Sequence, residues 1–211
     1  MGQITAIKPQ RRKDRFNIFI DGVFAFGIDA NVLLKEGLKI GLELSGLEIT
    51  SLIKANEFNT VFNKALKFLS YRPRSEKEFE YWFKKKEIGE DVQKLVISKL
   101  KELKFINDEE FARVWIEQRT NFKPRSSRLI KIELRQKGIS KDIIESEIFN
   151  SQFSIFNEME KAKKIINSKI HKYKGLSKQE IFKKLGGVLA RRGFSYEVIK
   201  QSIDEACKKI V

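Results

Sequence analysis

Cysteine, histidine and proline are scarce in this sequence, with one, one and three copies among 211 residues. The lone Cys207 excludes an internal disulfide and a cysteine-built zinc site, and it fits a reducing compartment. It stands four residues after Ile203 on an amphipathic run, so it reads as part-buried core. The lone His171 would have to serve any Ser-His-Asp triad, and no nucleophile elbow accompanies it. Beside Lys169, Lys172 and Lys174 it reads as a solvated surface residue. A metal site would have to come from carboxylates and that one imidazole. No Gly-X-X-X-X-Gly-Lys-Ser/Thr loop is present, so the chain is not expected to hydrolyse ATP. The paired acids Glu109 and Glu110 suit a helix start, where they favour the helix dipole. No enzyme activity, catalytic residue, metal or cofactor is expected.

Long apolar runs are missing too. No segment approaches the roughly 20 apolar residues that cross a bilayer, and Met1 to Ala6 carries no signal-peptide run. A cytoplasmic protein without membrane attachment is expected. Few prolines let long stretches stay helical.

Positive charge is in excess. The net charge is +15 and the pI about 9.8. Such a surplus points to a polyanionic partner, nucleic acid first, with an anionic membrane surface or an acidic protein next. A merely solvated lysine-rich surface is the plain alternative. The surplus is uneven: +5 over residues 58–107 and +8 over 158–211, against +1 over each of 1–57 and 108–157.

Residues 1–57 read as a β-hairpin with a short helix. Arg15 to Ile20 and Val23 to Phe26 flank Asp21-Gly22, a pair suited to a two-residue type I′ turn. Ile4 to Ile7 adds a third strand. Phe16, Ile18 and Ile20 alternate on one face, and Phe19 breaks the alternation. Asn31 to Gly37 reads as a short helix stopped by glycine. Leu42, Leu44, Leu47 and Ile49 seat this unit on the next.

From Ser51 the pattern is helical. Ala65, Leu66 and Leu69 share one stripe, Phe79, Trp82 and Phe83 another, and Val92, Leu95, Val96 and Leu100 a third. Ser75 and Glu78 form a capping box, and Asn107 or Asp108 caps the helix after it. Both tryptophans, Trp82 and Trp115, fall on apolar stripes and read as core, with stacking on nucleobases as the alternative.

Internal repetition organises the rest. Phe83-Lys84-Lys85-Lys86-Glu87-Ile88, Leu134-Arg135-Gln136-Lys137-Gly138-Ile139 and Leu189-Ala190-Arg191-Arg192-Gly193-Phe194 fall in register at spacings of 51 and 55 residues. Gly138 and Gly193 sit where a helix end wants positive φ. Glu87 takes that place in the first copy, whose helix is expected to end differently. The fold class is therefore mainly α: three tandem three-helix repeats over residues 58–107, 108–157 and 158–211. Stacked apolar faces would make an elongated, curved solenoid, preceded by the β-hairpin unit.

The basic residues are the candidate binding set. Arg72, Arg74, Arg119, Lys123, Arg125 and Arg128 gather at the turns after the first helices of units one and two. Lys84, Lys85 and Lys86 align with Arg135 and Lys137, and with Arg191 and Arg192, as a stripe along one face. Arginine forks grip carboxylates or phosphates with two donors. A solvated face is the competing reading, and Arg119 also suits a structural pair with a carboxylate of a neighbouring unit.

The run Ala65-Leu66-Lys67-Phe68-Leu69-Ser70-Tyr71-Arg72-Pro73-Arg74-Ser75, then Glu78-Phe79, resembles the RecX family of regulatory proteins. So do Leu103-Lys104-Phe105-Ile106-Asn107-Asp108-Glu109-Glu110-Phe111-Ala112 with Trp115 and Arg119, and Ile132 to Ile139. Lys104 and Asn107 depart from the family's usual glycine and acid. The resemblance spans roughly residues 58 to 205, with the N-terminal unit like an extension found in some members. It implies a tandem three-helix-repeat fold. It also implies binding in the helical groove of a RecA–DNA filament, modulating strand exchange and ATP hydrolysis; a monomer is expected. RecA is then the expected partner, with single- or double-stranded DNA in a weaker or indirect role. The alternatives are a general nucleic-acid-binding repeat protein and, more remotely, a nuclease with a carboxylate metal site.

Overall fold

The computed structural model describes residues 1–11, 14–150, 155–173 and 175–208. The chain divides into two compact bodies, Met1–Pro73 with Trp82–Phe105, and Arg74–Tyr81 with Ile106–Val211.

The first body opens with strands β1 (Gly2–Pro9), β2 (Arg15–Ile20) and β3 (Val23–Asp29), and a two-residue β4 (Glu43–Leu44). They form one antiparallel sheet in the order β3-β2-β1-β4. Asp21 and Gly22 both take positive φ, 50° and 81°, as the hairpin turn requires. Ile18 is fully buried, while Phe19 stands edge-on to Phe24. Helix α1 (Ala30–Lys35) starts on the Asp29 carboxylate and is followed by Gly37 at φ 62°. Ile4, Ile18, Ile28, Leu44 and Leu52 anchor the core of this unit.

Helix α2 (Gly46–Ser70) is one continuous element. It begins earlier than Ser51 because Ser45 and Glu48 build a complete capping box, and it runs unbroken past residue 57. Leu47 does not seat the hairpin unit: on the first turn of α2 it is 85% exposed. Helix α3 (Glu76–Lys85) is followed by α4 (Glu90–Glu102). Phe68 of α2 stacks on Trp82 of α3 at 5.3 Å. Val92, Val96 and Leu100 are buried as their stripe predicts. Leu95 is instead 58% exposed, on the wall of a cleft of about 580 Å³ shared with Val32 and Phe58.

The second body holds α5 (Asp108–Asn121), α6 (Ser127–Gln136) and α7 (Lys141–Asn150), then α8 (Ile155–Asn167), α9 (Lys178–Ala190) and α10 (Tyr196–Lys208). A short 3-10 turn, Ile170–Tyr173, precedes α9. Asn107 caps α5 by accepting from the Glu109 and Glu110 backbone N–H groups. Phe111, Ile116, Ile130, Leu134 and Ile144 form the second trio's core, and Ala162, Ile166, Leu185, Leu189 and Ile203 the third's. Cys207 packs half-buried against the latter. Three helical trios follow a small strand unit, the fold class that the repeats predict.

The turns closing α3, α6 and α9 share one conformation. Gly138 and Gly193 have φ of 81° and 85°, and Glu87 has 53°. The first copy thus ends as the others do, contrary to expectation. Its side chain is tolerated because Glu87 is exposed. A Cβ on Gly138 would lie 2.3 Å from Lys77 Cβ, and one on Gly193 2.7 Å from Leu129 Cβ. Glycine is needed there for close approach as well as for φ.

Candidate functional site

The turn between α2 and α3 is Tyr71-Arg72-Pro73-Arg74-Ser75. Arg72 Nη1 donates to the Pro73 carbonyl at 2.9 Å. Arg72 and Arg74 are half-buried and both engage other groups of the protein. Ser75 is fully buried, and its hydroxyl donates to the Lys137 carbonyl at 2.6 Å. The Ser75 and Glu78 capping box forms, each side chain facing the other's backbone N–H at 3.4 Å.

The turn between α5 and α6, Phe122-Lys123-Pro124-Arg125-Ser126, is held more elaborately. Buried Glu133 of α6 is its centre. Glu133 Oε2 accepts from Trp115 Nε1 at 2.9 Å and from Arg119 Nε at 3.0 Å, and Oε1 pairs with Arg125. Arg119 also lies over the Trp115 ring at 4.1 Å, with Lys137 Nζ at 5.5 Å from the same ring. Lys137 itself pairs with Glu78 at 2.7 Å. Arg192 Nη1 donates to the Pro124 carbonyl at 3.1 Å, and the Ser126 N–H to the Arg192 carbonyl at 3.0 Å. Burial lowers the pKa of Arg119. It lowers that of Arg125 as well, helped by the nearby charges of Arg119 and Arg192. One buried carboxylate thus draws two guanidinium groups out of water, and paired charges of this kind are costly to break.

The thirteen candidate cations therefore divide. Arg119, Arg125, Lys137 and Arg192 are bound within the protein, and the structural partner of Arg119 lies in its own trio, not a neighbouring one. Arg72 and Arg74 are half-buried. Lys84, Lys85, Lys86, Lys123, Arg128, Arg135 and Arg191 are exposed. Lys84 to Lys86 lie in the first body, whereas Lys123, Arg128, Arg135 and Arg191 lie in the second. Arg135 contributes, behind Lys131, to holding the Glu145 carboxyl below its usual range.

Two features escaped the sequence reading. Glu133 carries no local sequence signal, because its partners stand 14 and 18 residues back on α5. Tyr71 and Phe122, both strongly exposed, open the two basic turns in the same register. The 51-residue repeat of aromatic, basic, proline, arginine, serine could have marked them. His171 is exposed on the 3-10 turn, and Lys174 lies outside the described residues. Among the described residues no three or more His, Cys, Asp or Glu side chains gather as for a metal, and no helix is long and apolar enough to cross a membrane.

Comparison with known proteins covers most of the chain. Residues 2–45 match the Regulatory protein RecX N-terminal domain, and 62–100, 107–146 and 157–203 match the first, second and third three-helix domains of RecX. The chain is 39% identical over 203 residues to Regulatory protein RecX of Bacillus subtilis (strain 168), covering 96% of this chain and 76% of that protein. It is 35% identical over 207 residues to Regulatory protein RecX of Bacillus pumilus (strain SAFR-032), covering 98% and 78%. A crystal structure of regulatory protein RecX superposes with a TM-score of 0.70 at 27% identity, over 97% of this chain and all of that one. The crystal structure of RecX from Lactobacillus salivarius gives 0.59 at 29% identity, over 72% of this chain and 97% of that one.

Proposed function

We propose, from the premise that this chain belongs to the RecX family of regulatory proteins, that it binds RecA–DNA filaments and lowers RecA ATPase and strand exchange. Nothing in this reading requires the chain to catalyse a reaction. One observation supports it above the others. After the internal ion pairs are satisfied, the helix ends of the second body still present Lys123, Arg128, Arg135 and Arg191 to solvent. Exposed cations at successive helix ends match a partner whose charge repeats along its length, as acidic protein subunits and DNA phosphates do. The internally bound Arg119, Arg125, Lys137 and Arg192 leave the binding set and become its scaffold. Lys84, Lys85 and Lys86 supply a second basic segment on the first body.

The test is RecA ATPase on single-stranded DNA, titrated with this protein while DNA stays in excess. Inhibition is expected to persist. Joint charge reversal at Lys123, Arg128, Arg135 and Arg191 is expected to raise the concentration needed by roughly tenfold or more. Inhibition that excess bare DNA abolishes would replace this reading with the general nucleic-acid binder.

A further inference from the structure

Two exposed rings occupy one register of the repeat. Tyr71 is 73% exposed and Phe122 81%. Each is the residue on which a trio's first helix ends, with helical backbone angles: φ −80°, ψ −35° at Tyr71 and φ −98°, ψ −37° at Phe122. Each is followed by a cation, a proline, an arginine and a buried serine. The two segments, Tyr71-Arg72-Pro73-Arg74-Ser75 and Phe122-Lys123-Pro124-Arg125-Ser126, stand 51 residues apart and use two of the chain's three prolines.

The turns are stiff. Proline confines the residue before it to extended angles, so Arg72 and Lys123 have few conformations. Under Phe122 the Ser126 N–H is tied to the Arg192 carbonyl, and Arg192 grips Pro124 from behind. A ring mounted on such a turn has lost most of its freedom before any ligand arrives, which favours binding.

The third copy supplies the contrast. Another 51 residues on, the aromatic is Tyr173, but no proline follows, and Leu176 replaces the arginine. Tyr173 and Leu176 pack against the third trio's core. Exposure is thus a property of the two proline-bearing copies, not of the register.

A single exposed aromatic is ordinary on a protein surface. Two in one register, each beside a cation on a rigid turn of a chain with net charge +15, are not. Protein-binding hot spots sit in desolvated, well-packed pockets, whereas these rings have Ser70 and Arg72, or Asn121 and Lys123, as chain neighbours. A flat ring beside a cation is the arrangement that stacks an unpaired base and holds its phosphate, without sequence preference.

We propose that Tyr71 and Phe122 are stacking platforms for unpaired nucleobases, with the exposed Lys123 on the phosphate adjoining Phe122. This deepens the filament reading by naming single-stranded nucleic acid as a direct ligand, yet it is tested on bare DNA. Fluorescence anisotropy would compare a thymidine oligomer about 30 nucleotides long with an abasic oligomer of equal length. The full chain should prefer the oligomer with bases by roughly tenfold or more. The double variant Tyr71→Leu with Phe122→Leu should lose that preference while binding the abasic oligomer unchanged. The double variant Tyr71→Phe with Phe122→Tyr should keep it. Equal wild-type binding of both oligomers, failure to bind either, or a preference surviving the leucine changes would overturn the assignment. So would loss of RecA inhibition in the leucine variant with oligomer binding intact, since the rings would then meet protein. A ring-dependent base preference in a wild-type chain without effect on RecA ATPase would uphold the platforms and sink the filament reading instead.

Discussion

The first and second trios solve one packing problem with opposite chemistry. At the same register, 51 residues apart, the first trio stacks Phe68 on Trp82 and the second pairs Arg119 with Glu133. The flanking core residues stay apolar in both: Phe79 and Phe83 in one, Ile130 and Leu134 in the other, all fully buried. The backbone geometry therefore does not dictate polarity at this place. The aromatic pair is joined by a third ring, Phe83, edge-on to Trp82 at 5.1 Å. The ionic pair needs a third party, Arg125, and the Trp115 N–H to satisfy the carboxylate. Its reward is that the α5–α6 turn is fastened to α6, with Lys123 held at its outer edge.

The sharpest way to break the comparison is Glu133→Ala. It strands two part-buried guanidinium groups and should cost about 3–5 kcal/mol in urea denaturation. Converting the second trio to the first trio's solution, Arg119→Phe with Glu133→Trp, should recover most of that loss. A double variant less stable than Glu133→Ala would show that the two chemistries are not interchangeable.

The closing turns give the next effect. Gly138→Val adds strain at positive φ to a clash with Lys77, and should cost about 2–4 kcal/mol. An unchanged denaturation midpoint would mean that the approach of Lys77 to this turn is not kept in solution.

The third trio extends the comparison with a buried lysine. Lys161 of α8 is 2% exposed, and burial lowers its pKa from 10.5 to about 8, with Glu158 opposing and Lys164 adding to the shift. A base with a lowered folded pKa penalises the folded state below that pKa. Stability should therefore rise as pH climbs from about 8 towards 10.5. Lys161→Met should stabilise the chain by about 1–3 kcal/mol at pH 7. That gain should shrink as the pH approaches 10.5. A gain independent of pH would assign the effect to packing alone.

The smallest effect belongs to Glu87→Gly. The substitution relieves a non-glycine residue at φ 53° and should gain at most about 1 kcal/mol in thermal or urea melts. A large loss would give the Glu87 side chain a structural duty that its exposure does not suggest.

Much of this fold was legible in the sequence because its signals are local. Asp21-Gly22 needs only itself to specify a hairpin turn, and the apolar stripes of each trio repeat at helical spacing. The misses are non-local. Leu95 sits on its stripe by spacing, yet the packing around α2 and α4 leaves it on a cleft wall. The start of α2 depended on Ser45 and Glu48 reading each other across one turn, upstream of the first clear stripe. Among the candidate cations, sequence spacing could not sort Arg125, clamped to Glu133, from Lys123 two residues earlier, which points to solvent. That distinction is written in α6 and α9, not in the turn.

The α5–α6 turn does not own its rigidity. Glu158 of α8 accepts from both the Ser127 N–H and its hydroxyl, at 2.7 and 2.6 Å, and Arg192 reaches back 68 positions to Pro124. Beside the cap that its own Ser126 gives to the Leu129 N–H, α6 thus takes a further acceptor from the following trio. Melting of α8 and α9 would remove that acceptor and the Arg192 brace and slacken the segment carrying Phe122, so order in these two trios should propagate backwards along the chain, with downstream helices acting as a guy rope for an upstream loop.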